Sequence, residues 1–274
     1  MKSCKKLSMP AIFPVAAHTN NVGQGTIFVA ICGQHYDGIL YIPQAIAKGA
    51  SRIIIQNDAV IPQDILLLLN MHAIPLTRVD NPRKALAELS AQVANYPAKK
   101  LKIVGVTGTK GKTTSVYILE TLLKKLGMKV ARLSTVSNAI DGCELAATLT
   151  TAQPDYLHQF FALCVDQKVD YVVMEIAAQA TTFNRIDGVD LEGLVFTNLD
   201  REHAELYPDS IFAEMVAKNA VAFIQGIFLR GKDKTEFIRS DMISFNDVRI
   251  AEFEKLLHTK IMHIVDMFKD RSKV

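Results

Sequence analysis

The sequence predicts an α/β fold in two parts, a small N-terminal α/β domain followed by a larger parallel-sheet domain built around a glycine-rich strand-to-helix loop. Three observations predict it. Short apolar runs alternate with segments of helical periodicity as far as about residue 223. Tyr96-Pro97-Ala98-Lys99-Lys100 reads as a linker between two such series, because proline stops a helix and the lysines are solvated. The segment from Gly108 to Thr114 then places small residues and a lysine between a buried strand and a helix.

In the first part, Thr26 to Ile31 reads as a short buried strand closed by Gly33. Tyr41 to Ala50 puts Ile42, Ala45, Ile46 and Ala50 at helical spacing, and Arg52 to Gln56, with its triple isoleucine, is the next strand. Asn81-Pro82 is a helix start, continued on one face by Ala85, Leu86, Leu89 and Val93. In the second part, Leu101 to Val106 is a strand, Lys112 to Leu126 a helix ending at Gly127, and Lys129 to Leu133 a strand. Pro154 to Val165 is helical, Asp170 to Ile176 and Gly193 to Thr197 are strands, and Asp209 to Phe223 is a helix. Strand and helix in this alternation imply parallel pairing with right-handed crossovers. Beyond Phe223 the pattern weakens until Val248 to Phe268, where Ile250, Phe253, Leu256, Leu257, Ile261, Ile264, Val265 and Phe268 form an apolar helical stripe. The expected domains are therefore 1–98, 99–225 and a helical C-terminal tail over 226–274.

Composition narrows the function. The 274 residues are enough to bury a core of two domains. A net charge of +3, with both signs interspersed, is too weak and diffuse to argue for nucleic acid. No apolar stretch reaches the eighteen or so residues of a membrane helix, so no membrane insertion is expected. Pro10 and Pro14 break the apolar stretch after Lys2, Lys5 and Lys6, which argues against a signal peptide. Cys4, Cys32, Cys143 and Cys164 lack any C-x-x-C pairing, which argues against a zinc site or a disulfide framework. A cytoplasmic protein is expected.

The chemistry-bearing signal is Val104-Gly105-Val106-Thr107-Gly108-Thr109-Lys110-Gly111-Lys112-Thr113-Thr114. Small residues let a backbone wrap a phosphate, with its N–H groups and the helix N-terminus facing the anion. Lys112 then reaches the β- and γ-phosphates and the Thr113 hydroxyl ligates Mg²⁺. The general pattern G-x-x-x-x-G-K-[ST] has Gly where this chain has Val106, and Gly108 supplies the backbone freedom instead.

Thr107 to Thr114 resembles the P-loop of the Mur ligases, which also lacks that first glycine. Leu149-Thr150-Thr151 resembles the family's paired threonines, which contact the UDP-muramoyl substrate. Met174-Glu175-Ile176-Ala177-Ala178-Gln179-Ala180 is similar to its M-E-V-S-S-[HQ]-A segment, and Val195 to His203 to its V-F-T-N-L-S-x-D-H string. Lys218 falls where the family carries a lysine that becomes carbamylated, and Arg185 matches an arginine near the substrate. Gly25 to Ala30 followed by Asp37-Gly38 is similar to the MurE branch, which adds the third residue of the peptidoglycan stem.

The resemblance implies a parallel-sheet ATPase domain and a MurE-like ligase that joins an amino acid to UDP-MurNAc-L-Ala-D-Glu through an acyl phosphate. It implies ATP and Mg²⁺ as cofactors. Thr107, Gly108, Thr109, Lys110, Gly111, Lys112, Thr113 and Thr114 would bind ATP. Thr150, Thr151 and Arg185 would bind substrate, and Thr113, Glu175, His203 and Lys218 would hold metal. Lys112, His203 and Lys218 would be catalytic. Without the resemblance, Glu175 also fits an exposed acid at a strand terminus, His203 a solvated loop histidine and Lys218 a solvated helix lysine. Thr150 and Thr151 equally suit caps for the helix near Pro154.

Three departures divide the expectations. The family's Asp-Ser-Arg near the start aligns with His18-Thr19-Asn20, and its paired serines with Ala177 and Ala178. The family pattern stops near Phe223, and the residues that follow are too few for the domain that binds the incoming amino acid. One expectation is the ligase, with a partner chain supplying that domain if needed. The other is a truncated or degenerate homologue that binds ATP or UDP-sugar and forms no amide.

Overall fold

The computed structural model describes residues 7–33 and 36–197. The first unit holds four parallel strands, β1 (Val15–Ala16), β2 (Ile27–Val29), β3 (Arg52–Gln56) and β4 (Leu76–Val79), side by side in chain order. Helices α1 (Ile42–Ala47), α2 (Gln63–Met71) and α3 (Pro82–Val93) connect and cover them. The triple isoleucine of β3 is explained by cover on both faces. Ile53 and Ile55 enter the cluster that contains Ile42, Ile46, Ile65 and Leu69 from α1 and α2, while Ile54 enters the opposite one with Leu86 of α3. Asn81 caps α3 as expected, its side chain accepting from the N–H groups of Arg83 and Lys84.

The second unit comprises β5 (Lys102–Thr107), α4 (Lys112–Lys125), β6 (Val130–Leu133), β7 (Asn138–Ile140) and β8 (Cys143–Leu145). It continues through α5 (Pro154–Asp166), β9 (Tyr171–Glu175), α6 (Gln179–Thr182) and β10 (Gly193–Phe196). The sheet order is β10-β5-β9-β6-β7-β8. Alternate residues of β9 again divide between two layers. Val172 and Met174 pack with Leu157, Phe160 and Phe161 of α5, and Tyr171 and Val173 with Val116 and Leu123 of α4. Pairing is parallel among β10, β5, β9 and β6, but β7 and β8 add an antiparallel edge. Asp141 (φ 48°) and Gly142 (φ 86°) make the tight reversal between them.

Between the units Lys99 and Lys100 are exposed, as expected of a linker, but the turn that carries them is packed. The chain reverses at Asn95 and Tyr96, both at positive φ, and Pro97–Lys100 forms a 3-10 turn with Pro97 and Ala98 buried. Packing of α3 on α5 joins the units, and the Asp155 carboxylate accepts the Ala17 N–H at 3.0 Å across the joint. Cys32 and Cys164 are free thiols, and Cys143 is disulfide-bonded. No described helix is long and apolar enough to cross a membrane. The helix expected over Asp209 to Phe223 and the stripe over Val248 to Phe268 lie outside the described residues.

Candidate functional site

The glycine-rich loop lies at the carboxyl edge of the second sheet, where ligand crevices of open α/β sheets form. Thr107 ends β5, which is flanked by Glu175 of β9, in register with Val106, and by Phe196 of β10, in register with Thr107 itself. Gly108 (φ 128°) and Gly111 (φ 83°) hold backbone conformations that side chains rarely tolerate, so the loop needs glycine at both places. Gly111 is the N-cap of α4 and places no side chain over the first turn, whose N–H groups lack helical partners.

Lys112 bends back over this loop. Its Nζ donates to the carbonyls of Gly108 and Thr109, at 2.6 and 2.7 Å. Thr197, at the end of the adjacent strand, donates its hydroxyl to the Lys110 carbonyl at 2.6 Å and lies 3.2 Å from the Thr107 carbonyl. It thereby ties the loop to the sheet edge, a role the sequence pattern does not announce. Thr113 is half-buried at the start of α4 and Thr114 is exposed.

Glu175 is 1% exposed, so the surface acid that the sequence also allowed is excluded. One of its carboxylate oxygens accepts the Thr135 N–H and the other the Thr135 hydroxyl, each at 3.0 Å. The Thr150 hydroxyl lies 3.1 Å from that of Thr135. Both donors to Glu175 are neutral, and no salt bridge to it occurs among the described residues. A buried carboxylate held by neutral donors suits a hard cation, and so does the hydroxyl of Thr113 nearby in sequence to Lys112. No group of three or more His, Cys, Asp or Glu side chains gathers as a metal cage among the described residues. The donor set therefore fits Mg²⁺ that takes its remaining ligands from phosphate and water.

Thr151 does not cap a helix. The N-cap of α5 is Gln153, and its side chain makes no capping bond. Instead the buried Thr151 hydroxyl donates to the Glu175 carbonyl at 3.1 Å and accepts the Ala177 N–H at 2.8 Å, pinning the turn that leaves β9. Arg185 reaches the same point, its guanidinium donating to the Thr151 carbonyl at 2.9 Å. The loop, Glu175, Thr150, Thr151 and Arg185 are thus tied to one edge of one sheet. Ala178 is exposed and Ala177 half-buried, at the positions where the resemblance leads one to expect hydroxyls. Thr19 is buried and donates to Gln44 at 2.9 Å, and Thr19–Asn21 is a folded 3-10 turn capped by His18, with Thr19 committed to the core of the first unit. His203 and Lys218 lie outside the described residues.

The fold and this loop define a P-loop α/β protein with a second, smaller parallel α/β unit before it. A model of the Mur ligase family catalytic domain matches residues 15–94, and a model of the Mur ligase middle domain matches residues 106–231. The chain belongs to the Mur ligase family. It is 37% identical over 186 residues to the UDP-N-acetylmuramoyl-L-alanyl-D-glutamate–2,6-diaminopimelate ligase of Clostridium perfringens, covering 68% of this chain and 37% of that one. The ligase of the same name from Phocaeicola vulgatus is 30% identical over 248 residues, which cover 90% of this chain and 48% of that one. The chain thus spans between about a third and a half of the length of these relatives. Among solved structures, a ligase of the same name superposes with a TM-score of 0.59 at 21% identity, over 78% of this chain and 41% of that one. MurF ligase from Thermotoga maritima in complex with ADP gives 0.50 at 20% identity, over 83% and 45%. Both show the fold.

Proposed function

We propose that this chain carries the nucleotide-handling half of a MurE-type amide ligase, acting in the cytoplasm on peptidoglycan precursors. The observation that carries the reading is the pairing of a lysine-bearing phosphate loop with a buried carboxylate on the neighbouring strand, in a chain that belongs to the Mur ligases. Residues 1–98 are taken as the domain facing the UDP end of the substrate, 99–225 as the ATP-binding domain and 226–274 as a separate tail.

In this reading ATP supplies the phosphoryl group and Mg²⁺ the charge neutralisation. A substrate carboxylate oxygen bonds to the γ-phosphorus as ADP leaves, and the amine of an amino acid then bonds to the acyl carbon as phosphate leaves. Phosphoryl transfer of this kind depends on positioning and charge more than on covalent help from the protein. The N–H groups of 108–112 and the Lys112 ammonium would bind the phosphates. Thr113 and Glu175 would hold the cation, and Arg185 and Thr150 would orient the acceptor. Thr151 would act one step back by fixing the turn after Glu175. His203 and Lys218, the latter as a carbamate, are proposed for a second cation near the acceptor carboxylate.

Purified protein incubated with ATP, UDP-MurNAc-dipeptide and candidate amino acids tests the reading. Release of phosphate with tripeptide product is expected. ATP binding without either product would overturn amide formation by this chain and leave the reading of a homologue that only binds. Lys112→Ala is expected to abolish ATP binding in calorimetry, and unchanged affinity would overturn the loop assignment.

A further inference from the structure

Two arginines from different units converge on one aromatic ring. Arg83, in the first turn of α3, has its guanidinium carbon 4.8 Å from the centre of the Phe183 ring, and Arg185 has its own at 5.5 Å from the same centre. Among the described residues neither guanidinium has a salt-bridge partner. Among the described residues the Arg83 guanidinium donates to the Cys32 carbonyl at a long 3.4 Å, and that of Arg185 to the Thr151 carbonyl at 2.9 Å. The Nε of Arg185 is buried without any hydrogen-bond partner.

This arrangement is costly as it stands. A cation in the first turn of a helix opposes the macrodipole. Burial and the charge of Arg83 both press on Arg185, and burial presses on Arg83. A buried donor left unpaired costs about 1–3 kcal/mol. Yet the geometry is built rather than incidental. Asn81 donates to the Asn184 side chain at 3.2 Å, fastening the start of α3 to the turn that carries Phe183 and Arg185. That turn is in turn fixed to Thr151, whose hydroxyl holds the backbone on both sides of Ile176.

We propose that Arg83 and Arg185 form a single oxyanion clamp across the two units, which takes a carboxylate or phosphate group of the acceptor substrate. Arg83 is then a binding residue supplied by the N-terminal unit. The identity of the acceptor rests on the function proposed above, whereas the clamp itself rests on the two guanidiniums. Planar forked donors suit a carboxylate or phosphate, and the Phe183 ring keeps both forks in place without neutralising them. An anion bound there bridges the units and fixes the acceptor relative to the phosphate loop.

The test is calorimetry on wild type, Arg83→Gln, Arg83→Lys and Arg185→Gln with UDP-MurNAc-dipeptide, UDP, N-acetyl-L-alanyl-D-glutamate and ATP. Each glutamine variant is expected to weaken UDP-MurNAc-dipeptide about tenfold or more while ATP affinity is retained, and Arg83→Lys to recover only part of the loss. If the loss appears with N-acetyl-L-alanyl-D-glutamate, the anion is the peptide carboxylate; if with UDP, it is the diphosphate. Wild-type affinity in Arg83→Gln overturns the clamp. Should wild type bind ATP but not UDP-MurNAc-dipeptide, the functional reading fails alone. Glutarate and pyrophosphate then decide the clamp, by a thermal stabilisation present in wild type and lost in Arg83→Gln; no stabilisation of wild type by either overturns it. Equal melting temperatures of the unliganded variants separate binding from folding.

Discussion

Thr135 grips both oxygens of Glu175, one through its backbone N–H and the other through its hydroxyl, across 40 residues of sequence. Two bonds from one residue fix the plane of the carboxylate as well as its position. Thr135 is itself exposed just beyond the end of β6, so the carboxylate is held from the side of the crevice rather than from the core.

The first prediction follows from that grip. Thr135→Val keeps the shape and the backbone bond but removes the hydroxyl, freeing one oxygen of Glu175. Partners that orient a metal-binding carboxylate are worth about 10–100-fold in metal affinity or activity. Titration of Mg²⁺ in the presence of ATP is expected to show a half-saturating concentration raised by about tenfold, with Thr135→Ser near wild type. An unchanged Mg²⁺ dependence would remove Thr135 from the site.

Thr151→Val probes the next layer. The variant strips a buried hydroxyl that bonds the Glu175 carbonyl and the Ala177 N–H, leaving that N–H without a partner. Each such loss costs about 1–3 kcal/mol. Chemical denaturation is expected to register a loss of about 2 kcal/mol or more, together with weaker binding of the acceptor, since the Arg185 guanidinium rests on the same residue.

Glu120 of α4 and Arg132 of β6 form a buried ion pair, extended by Lys124 on one side and Glu144 on the other. Arg132 also lies over the Tyr117 ring, 4.1 Å from its centre. Breaking a buried pair by removing one partner costs about 3–5 kcal/mol because the other charge stays buried. Glu144 softens this for Arg132, so Glu120→Ala is expected to cost about 3 kcal/mol, or roughly 6–12 °C in Tm. Lys124→Met, at a side chain 37% exposed, is expected to cost under about 1 kcal/mol. Similar losses in the two variants would contradict the ranking by burial.

His158 gives the chain a pH response. It is 1% exposed, neither ring nitrogen has a hydrogen-bond partner, and burial pushes its pKa down to about 4. The Asp187 backbone opposes that shift without reaching hydrogen-bond geometry. Folding therefore favours the neutral ring. The stability this confers is complete above the unfolded pKa of about 6.5 and is lost as pH falls from there towards 4, by up to about 3 kcal/mol. Denaturation midpoints between pH 7 and 4 are expected to fall less steeply in His158→Phe than in wild type. Parallel slopes would show that other groups carry the acid response.

Several elements missing from the sequence reading had no clean local period. In α2 the run Ile65 to Leu69 is apolar throughout, but only Ile65 and Leu69 are buried, while Leu66 and Leu67 face solvent. The hairpin of β7 and β8 did carry a signal, the Asp141-Gly142 pair between two short runs, which helix-and-strand alternation overshadowed. The strand β1 has two residues directly after Pro14 and exists because β2 is there to pair with it.

By itself the sequence determined the glycine-rich strand-to-helix loop, the triple-isoleucine strand, the Asn81 cap and the parallel alternation. Each of these is local: a backbone conformation that favours glycine, a short continuous apolar run, a side chain bonding its own helix. The tertiary structure alone decided that Thr135 serves Glu175, that Thr151 holds a turn instead of capping a helix, and that Arg83 meets Arg185 over Phe183. Those pairings join residues 40, 24 and 102 positions apart. They depend on which strands lie side by side and on how α3 packs against α5, and no local propensity encodes that placement.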